Sequence, residues 1–182
     1  MITVPYVDEV FQAQLVEADY CPEPVWHGLL KGPLLGAAPP ECDIRRIESE
    51  ADWAHFDRLV RADHVETDER TVRAVFTEEV TAQMQASRRM GRRDEVHVFL
   101  AWDEDEPVAF CSSGPGVDGT GMVEDLFTLP SHRNRGIARG LIHHSVADAR
   151  ARGAVDVLIG ALHDDTPKNA YAATGFETTC LT

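Results

Sequence analysis

The stretch from Val123 to Ile142 constrains this chain more than any other. Val123 to Leu129 reads as a strand, Pro130 to Arg135 as a short basic turn, and Gly136 onward as a helix that opens on glycine. A helix N-terminus leaves backbone N–H groups unpaired and carries partial positive charge, so it binds phosphate. Gly136 removes the side chain where a phosphate would approach the backbone closely. Arg133, Arg135 and Arg139 bring guanidinium groups to the same spot, suited to bidentate phosphate contacts. The pattern predicts a phosphate cradle. The sequence contains no G-x-x-x-x-G-K-[ST], which argues against a nucleotide-hydrolysing loop. Its one G-x-G-x-x-G, Gly114 to Gly119, leads into the strand pattern and not into a helix, so it does not suggest a dinucleotide-binding fold.

Charge narrows the choice further. The chain carries a formal net charge of −14, which would repel a nucleic-acid backbone, so no nucleic-acid partner is expected. Between residues 131 and 152 the balance inverts locally: Arg133, Arg135, Arg139, Arg150 and Arg152 meet only Asp148. A basic island in an acidic protein fits an anion site. The acidic remainder is compatible with a cationic amine, although acidic surfaces commonly serve solubility alone. With 182 residues, 43% of them hydrophobic, the chain is long enough for one domain with a sizeable core. No apolar run approaches a membrane span, and Met1 to Tyr20 lacks a basic n-region, so neither a membrane anchor nor a signal peptide is expected. Cys21, Cys42, Cys111 and Cys180 are scattered without C-x-x-C spacing, which predicts reduced thiols, no structural zinc and a cytoplasmic location.

The remaining elements follow from periodicity. Residues 1 to about 40 form a separate stretch ending in the Gly- and Pro-rich run Gly32 to Pro40. Within it Val10 to Ala18 reads as helix and Val25 to Leu30 as strand. Asp43 to Ile47 alternates as a strand. Ser49 then forms an N-cap with Asp52 three residues on, ahead of Trp53, Phe56, Leu59 and Val60 at helical spacing. Val72, Val75, Phe76, Val80 and Met84 repeat that spacing up to Gly91. Val96 to Trp102 and Val108 to Cys111 flank Asp103 to Pro107 as a hairpin. After the cradle come a strand from Val155 to Ala161, a short helix around Pro167 to Ala173, and a strand near Phe176 to Leu181.

The cradle residues Arg133-Asn134-Arg135-Gly136-Ile137-Ala138 resemble the [QR]-x-x-G-x-[GA] signature of the GNAT superfamily of N-acetyltransferases. A second hallmark follows downstream, where Tyr171 stands four residues before Gly175-Phe176. The resemblance implies an α/β GNAT fold from about residue 41 to 182: a central mixed, mostly antiparallel sheet with splayed fourth and fifth strands and helices on both faces. Residues 1–40 lie outside it as an appendage and linker, with some likeness to the tail of a degenerate preceding GNAT half. The implied activity is transfer of the acetyl group of acetyl-CoA to a primary amine by direct attack in a ternary complex, without a metal.

Site residues follow by position in the two motifs. Phe127, Thr128 and Leu129 supply backbone groups to the pantetheine arm, because splayed strands leave donors and acceptors unpaired. The backbone from about Arg135 through Gly136, Ile137 and Ala138 to Arg139 holds the pyrophosphate, with Arg133 and Asn134 alongside. Tyr171 is the candidate general acid: a thiolate leaves with a solution pKa near ~8.5 against ~10 for tyrosine. Its alternative is a ring packed in the core. Glu124 is the candidate base because the resemblance implies a carboxylate on the fourth strand, with a purely structural role as its alternative. Alternation puts Glu124 and Asp125 on opposite faces, so only one meets the substrate, and a bulge in this strand would reverse the choice. Arg88 to Arg93 reads as a solvated helix end, with the adenosine 3′-phosphate as the alternative. Asp164 stands where many members of the family carry Asn. The acceptor is not legible, a homodimer stays open, and two other readings remain: a non-catalytic acyl-CoA-binding module, and an acyltransferase with another acyl donor or acceptor.

Overall fold

Ser49 and Asp52 start the longest helix by capping each other. The Ser49 N–H donates to Asp52 Oδ2 at 2.8 Å, and the Asp52 N–H donates to Ser49 Oγ at 3.1 Å, so two otherwise orphaned donors are satisfied together. In the computed structural model of the protein, residues 9–20, 24–71, 75–90, 95–116, 118–163 and 165–181 are described. The elements are α1 (Glu9–Glu17), β1 (Val25–Leu30), β2 (Asp43–Arg46), α2 (Glu50–Thr71), α3 (Glu78–Met90), β3 (His97–Asp103), β4 (Glu106–Pro115), β5 (Thr120–Thr128), α4 (Ile137–Ala151), β6 (Asp156–Leu162), α5 (Pro167–Ala173) and β7 (Glu177–Leu181). The fold is mixed α/β, with seven strands that pair mostly antiparallel. The chain divides into two compact units, one of Ala37–Val157 and one of Met1–Gly36 with Leu158–Thr182; the division falls inside β6.

In the first unit β2, β3, β4 and β5 pair antiparallel in that order. Val108 to Ser113 of β4 are all buried, as a strand covered on both faces must be. On one face Phe110 and Phe127 join Phe56, Leu59 and Val60 of α2 in a cluster with Ile47 and Leu100. The other face carries Cys111, which lies against Ser145 of α4. Leu141, Val146 and Ala149 of α4 are buried as well. Gly121 permits this close approach: a Cβ there would come 2.9 Å from the Cβ atoms of Ala149 and Ala154.

Two expectations need correction. The second helix starts only at Glu78, so Val75 and Phe76 precede it. The Asp68 carboxylate accepts both of their N–H groups at 3.0–3.1 Å, and the Phe76 ring stacks on His64 at 4.1 Å, so side-chain bonding competes successfully with the helix. Val72 and Gly91 lie outside the described residues. The hairpin loop is also tighter than Asp103 to Pro107: Asp103 pairs with Glu106 and Trp102 with Pro107, and Glu104 turns the chain with a left-handed φ of 55°.

In the second unit β1 pairs antiparallel with β7, from Trp26 opposite Leu181 to Leu29 opposite Glu177. Trp26 and Leu30 point inward with Ile159, Tyr171 and Phe176, and the Trp26 Nε1–H donates to Thr178 Oγ1 at 2.9 Å. Leu35 N–H donates to the Thr174 carbonyl at 2.9 Å. The Gly- and Pro-rich stretch is thereby tied to the end of α5.

Candidate active site

β5 leads through a single 3₁₀ turn, Pro130–His132, into α4. Asn134 and Gly136 are left-handed, with φ of 61° and 84°, and these are the residue types that enter this region at least cost. The first bond of α4 runs from Gly140 N–H to the Gly136 carbonyl at 3.0 Å, and no side chain caps the helix. The N–H groups of Ile137, Ala138 and Arg139 therefore precede the hydrogen-bonded ladder. Gly136 has a reason beyond anion approach. A Cβ there would come 2.7 Å from Cγ and Cδ of Pro40, so the chain before β2 fills the space that the missing side chain leaves.

Each cradle arginine has a partner. Arg135 forms a two-pronged ion pair with Asp103, at 2.8 and 3.0 Å, and His132 Nε2 lies 3.2 Å from the same carboxylate. The Arg135 guanidinium holds the Asp103 carboxyl below its usual range. Arg133 pairs with Glu66 at 2.7 Å and donates Nε–H to the Thr128 carbonyl at 3.0 Å. Arg139 donates to the Ala38 carbonyl at 3.3 Å. The ion pairs of Arg133 and Arg135 are solvent-exposed, so exchange of carboxylate for phosphate costs little.

The end of β5 is divided by pairing. Phe127 stands opposite Phe110 and Thr128 opposite Ala109, while the Leu129 N–H donates to the Val108 carbonyl at 2.9 Å. Antiparallel alternation then turns the N–H and carbonyl of Thr128 away from β4, where Arg133 meets the carbonyl. The Leu129 carbonyl accepts from the His132 N–H at 2.9 Å. Thr128 Oγ1 is buried with no hydrogen-bond partner among the described residues.

Alternation fails at the candidate base. Glu124 stands opposite Ser112 and Phe127 opposite Phe110, so Asp125 and Leu126 face Cys111 alone and β5 carries a bulge. Asp125 takes a left-handed φ of 56°. Paired residues share a face, which puts Glu124 on the side of Ser112, and the Ser112 Oγ also lies 3.3 Å from Asp125 Oδ2. Both carboxylates are thus on the α2 side of the sheet, contrary to the expectation of opposite faces. Asp125 is held: Arg88 of α3 contacts its Oδ1 at 2.9 Å. The Glu124 carboxylate has no hydrogen bond or ion pair among the described residues. Glu124 is exposed, yet partial desolvation by the surrounding protein raises its carboxyl above the usual range, the charge of Asp125 raises it further, and Arg88 opposes both.

Two more residues belong to this neighbourhood. Asp63 follows Phe56, Leu59 and Val60 on the core-facing stripe of α2, so the stripe turns from apolar to charged. Burial pushes the Asp63 carboxyl up to about 6, with Asp125 and Glu66 adding to the shift and Arg70 and Arg88 opposing it. His64, beside it, is buried, and its Nδ1 lies 2.7 Å from Thr81 Oγ1. The signal was present in the sequence as a polar pair at the seventh and eighth positions after Phe56. The end of α3 is not a solvated basic run: Arg88 meets Asp125, and Arg89 pairs with Glu50 and Asp57. Arg92, Arg93 and Asp164 lie outside the described residues. In the other unit, Tyr171 is buried between Trp26 and Phe176, with ring centroids 6.3 and 6.4 Å away. Cys42 and Cys111 carry free thiols, and burial pushes that of Cys111 up to about 12. Cys21 and the Cys180 side chain lie outside the described residues.

Comparison with known proteins agrees with this fold. A sequence model described as the acetyltransferase (GNAT) family matches residues 53–176. No functionally curated protein matches the chain. A functionally unknown conserved protein from Staphylococcus epidermidis has a similar solved structure, with a TM-score of 0.70 and 15% identity over 97% of this chain and 66% of its own. An acetyltransferase of the GNAT family from Novosphingobium aromaticivorans superposes with a TM-score of 0.61 and 18% identity, over 87% of this chain and 61% of its own. The chain thus spans about two thirds of the length of these two proteins. AAC(6′)-Iy, in complex with the bisubstrate analogue CoA-S-monomethyl-acetylneamine, superposes with a TM-score of 0.57 and 19% identity, over 75% of this chain and 91% of its own.

Proposed function

Because the chain belongs to the acetyltransferase (GNAT) family, we propose that it transfers the acetyl group of acetyl-CoA to a primary amine by direct attack in a ternary complex. The observation that carries this reading is that β5 joins two features along one strand. At its end stands the uncapped start of α4; at its bulge stands Glu124, a carboxylate without a partner among the described residues. The donors suit the ligand, since unpaired N–H groups at a helix start are what a pyrophosphate requires. AAC(6′)-Iy, a neighbour in fold, is bound to an analogue joining CoA to acetylneamine, which supports CoA and an amine as the ligand pair.

In this reading Ile137, Ala138 and Arg139 hold the pyrophosphate through backbone N–H groups. Arg133 and Arg135 exchange Glu66 and Asp103 for phosphate oxygens. Thr128 offers its backbone, turned away from β4, to the pantetheine arm. Acetyl-CoA supplies an activated thioester when bound. Glu124 takes a proton from the acceptor ammonium, which must be neutral to attack, and its raised pKa makes it a stronger base than an ordinary carboxylate. Tyr171 donates a proton to the leaving thiolate.

The test is a thiol-release assay with acetyl-CoA against amino acids, polyamines, aminoglycosides and peptide N-termini. Turnover with an amine, reduced by about 10²-fold or more in Glu124→Gln, is the expected result. Tight CoA binding without turnover on any amine would favour a non-catalytic module. A Tyr171→Phe protein as active as the wild type would remove tyrosine as the acid.

A further inference from the structure

The bulge in β5 raises a question that the strand alone does not answer. It brings two adjacent carboxylates to one face, and chemically either can accept a proton. They differ in what holds them. Arg88 Nη2 lies 2.9 Å from Asp125 Oδ1, and Ser112 Oγ lies 3.3 Å from Asp125 Oδ2 and 3.1 Å from the Glu124 carbonyl, its one proton shared between the two acceptors. Asp125 is thus gripped at both oxygens, whereas the Glu124 carboxylate has no partner among the described residues.

Arg88 is itself well fixed. It sits in the last turn of α3, and the residues around it on that helix are tied to α2. The Thr81 hydroxyl lies 2.7 Å from His64 Nδ1, Gln85 donates to the Asp57 carbonyl at 2.8 Å, and Arg89 pairs with Glu50 at 2.9 Å. The Arg88 guanidinium stands 5.9 Å over the Phe56 ring. The face of α3 toward α2 is therefore polar, while Val80 and Met84 point outward. An amphipathic helix normally docks through its apolar stripe; this one docks through a row of directional bonds. Such bonds fix the place of a guanidinium better than apolar packing does.

We propose that Arg88 is a positioning residue for acetyl transfer: it holds Asp125 on Ser112 as an anchor and so reserves the adjacent Glu124 for the acceptor's proton. This rests on the reading of Glu124 as the base. The groups facing the site are Asp63, His64, Glu66, Arg61 and Arg70 from α2, Arg88 from α3, and Glu124 and Asp125 from β5. The charge of Arg88 lowers the Asp63, His64 and Glu124 groups alike. Its removal must move all three up. It also frees Asp125 to turn and compete with Glu124 for the ammonium.

The test compares wild type, Arg88→Gln and Arg88→Lys with acetyl-CoA and the amine found in the thiol-release assay. The acid limb of kcat/KM in Arg88→Gln should move up by about one pH unit, with the KM for acetyl-CoA within about twofold of wild type. Arg88→Lys keeps the charge but loses the planar guanidinium that meets Asp125 Oδ1, so its limb should stay in place while kcat falls severalfold. An unmoved limb in Arg88→Gln, while Glu124→Gln abolishes the limb, overturns the proposal. So does wild-type kcat in Arg88→Lys, a variant that keeps the charge the fold needs. If no amine is turned over, the proposed activity fails separately, and carboxyl carbon titration by NMR still decides. Glu124 and Asp63 titrating at the same pH in wild type and Arg88→Gln would overturn the role of Arg88.

Discussion

Asp148 and Asp63 are carboxylates on helices that cover opposite faces of the same sheet, and the fold treats them in opposite ways. Burial alone would raise Asp148. Hydrogen bonds from His97 and Ser113 and the charge of Arg152 outweigh it and hold the group below its usual range. Arg152 pairs with Asp148 at 2.8 Å and also donates to the carbonyls of Glu95 and Ser113, stitching α4 to the ends of β3 and β4. Among the described residues Asp63 has no hydrogen bond or ion pair of this kind, and only the charges of Arg70 and Arg88 oppose its shift. Burial, then Asp125 and Glu66, push it up to about 6. A charge that is compensated from within belongs to the architecture; one left undercompensated near Asp125 marks a place where a ligand's charge is expected.

The largest effect should come from breaking the compensated side. Arg152→Met removes the charge partner of Asp148 and leaves two strand-end carbonyls without their donor. At exposures of 22% and 18% this pair is more buried than the cradle pairs, and its loss should cost about 2–4 kcal/mol. Urea denaturation at pH 7 measures it. A cost below about 0.5 kcal/mol would mean that the network is surface decoration and that the contrast with Asp63 is empty.

The uncompensated side should respond with the opposite sign. A carboxyl whose pKa is raised by folding contributes its stability fully below the unfolded value and loses it as pH rises through the folded one. For Asp63 that window runs from 3.8 to about 6. Asp63→Asn, neutral throughout, should gain about 1–3 kcal/mol over wild type at pH 8 after allowance for partial exposure. Near pH 3.5 it should gain nothing. Equal stability of the two proteins at pH 8 would show that water or a moving Arg88 already compensates the charge. Gain of stability with loss of amine turnover would tie the same carboxylate to function.

How much of this was legible in the sequence depends on the range of the interaction. The cradle was legible because its signals are local: a left-handed Asn134 and Gly136, the basic turn, and the periodicity of α4 from Ile137 to Ala149. The Ser49–Asp52 cap was legible for the same reason. The bulge at Asp125 was not, because alternation is a property of one strand and a bulge is a mismatch between two. Nor was the pairing of β1 with β7, since Trp26 meets Thr178 across most of the chain and neither strand names its partner. The role of Pro40 over Gly136 was hidden in the same way. Asp63 was readable and went unread: two polar residues on the core-facing stripe of α2 already said that the core ends there.

The smallest effect on stability, and the sharpest on ligand, should come at the cradle. Arg135 holds Asp103 with the same two-pronged chemistry that Arg152 brings to Asp148, but in full solvent. If exposure decides the matter, Arg135→Gln leaves the melting temperature where it was and weakens acetyl-CoA binding by about tenfold, the loss of one charge-assisted phosphate contact. Thermal shift without and with acetyl-CoA separates the two quantities in one experiment. Arg152→Met should give the mirror image: a lower melting temperature in both conditions and an unchanged acetyl-CoA shift. Replacing Asp103 by Asn is the counter-test, since it frees Arg135 and should tighten acetyl-CoA binding if that ion pair competes with phosphate. Weaker binding in Asp103→Asn would mean that the carboxylate aims the guanidinium at its ligand, and the exposed ion pair would then join the compensated class with Asp148.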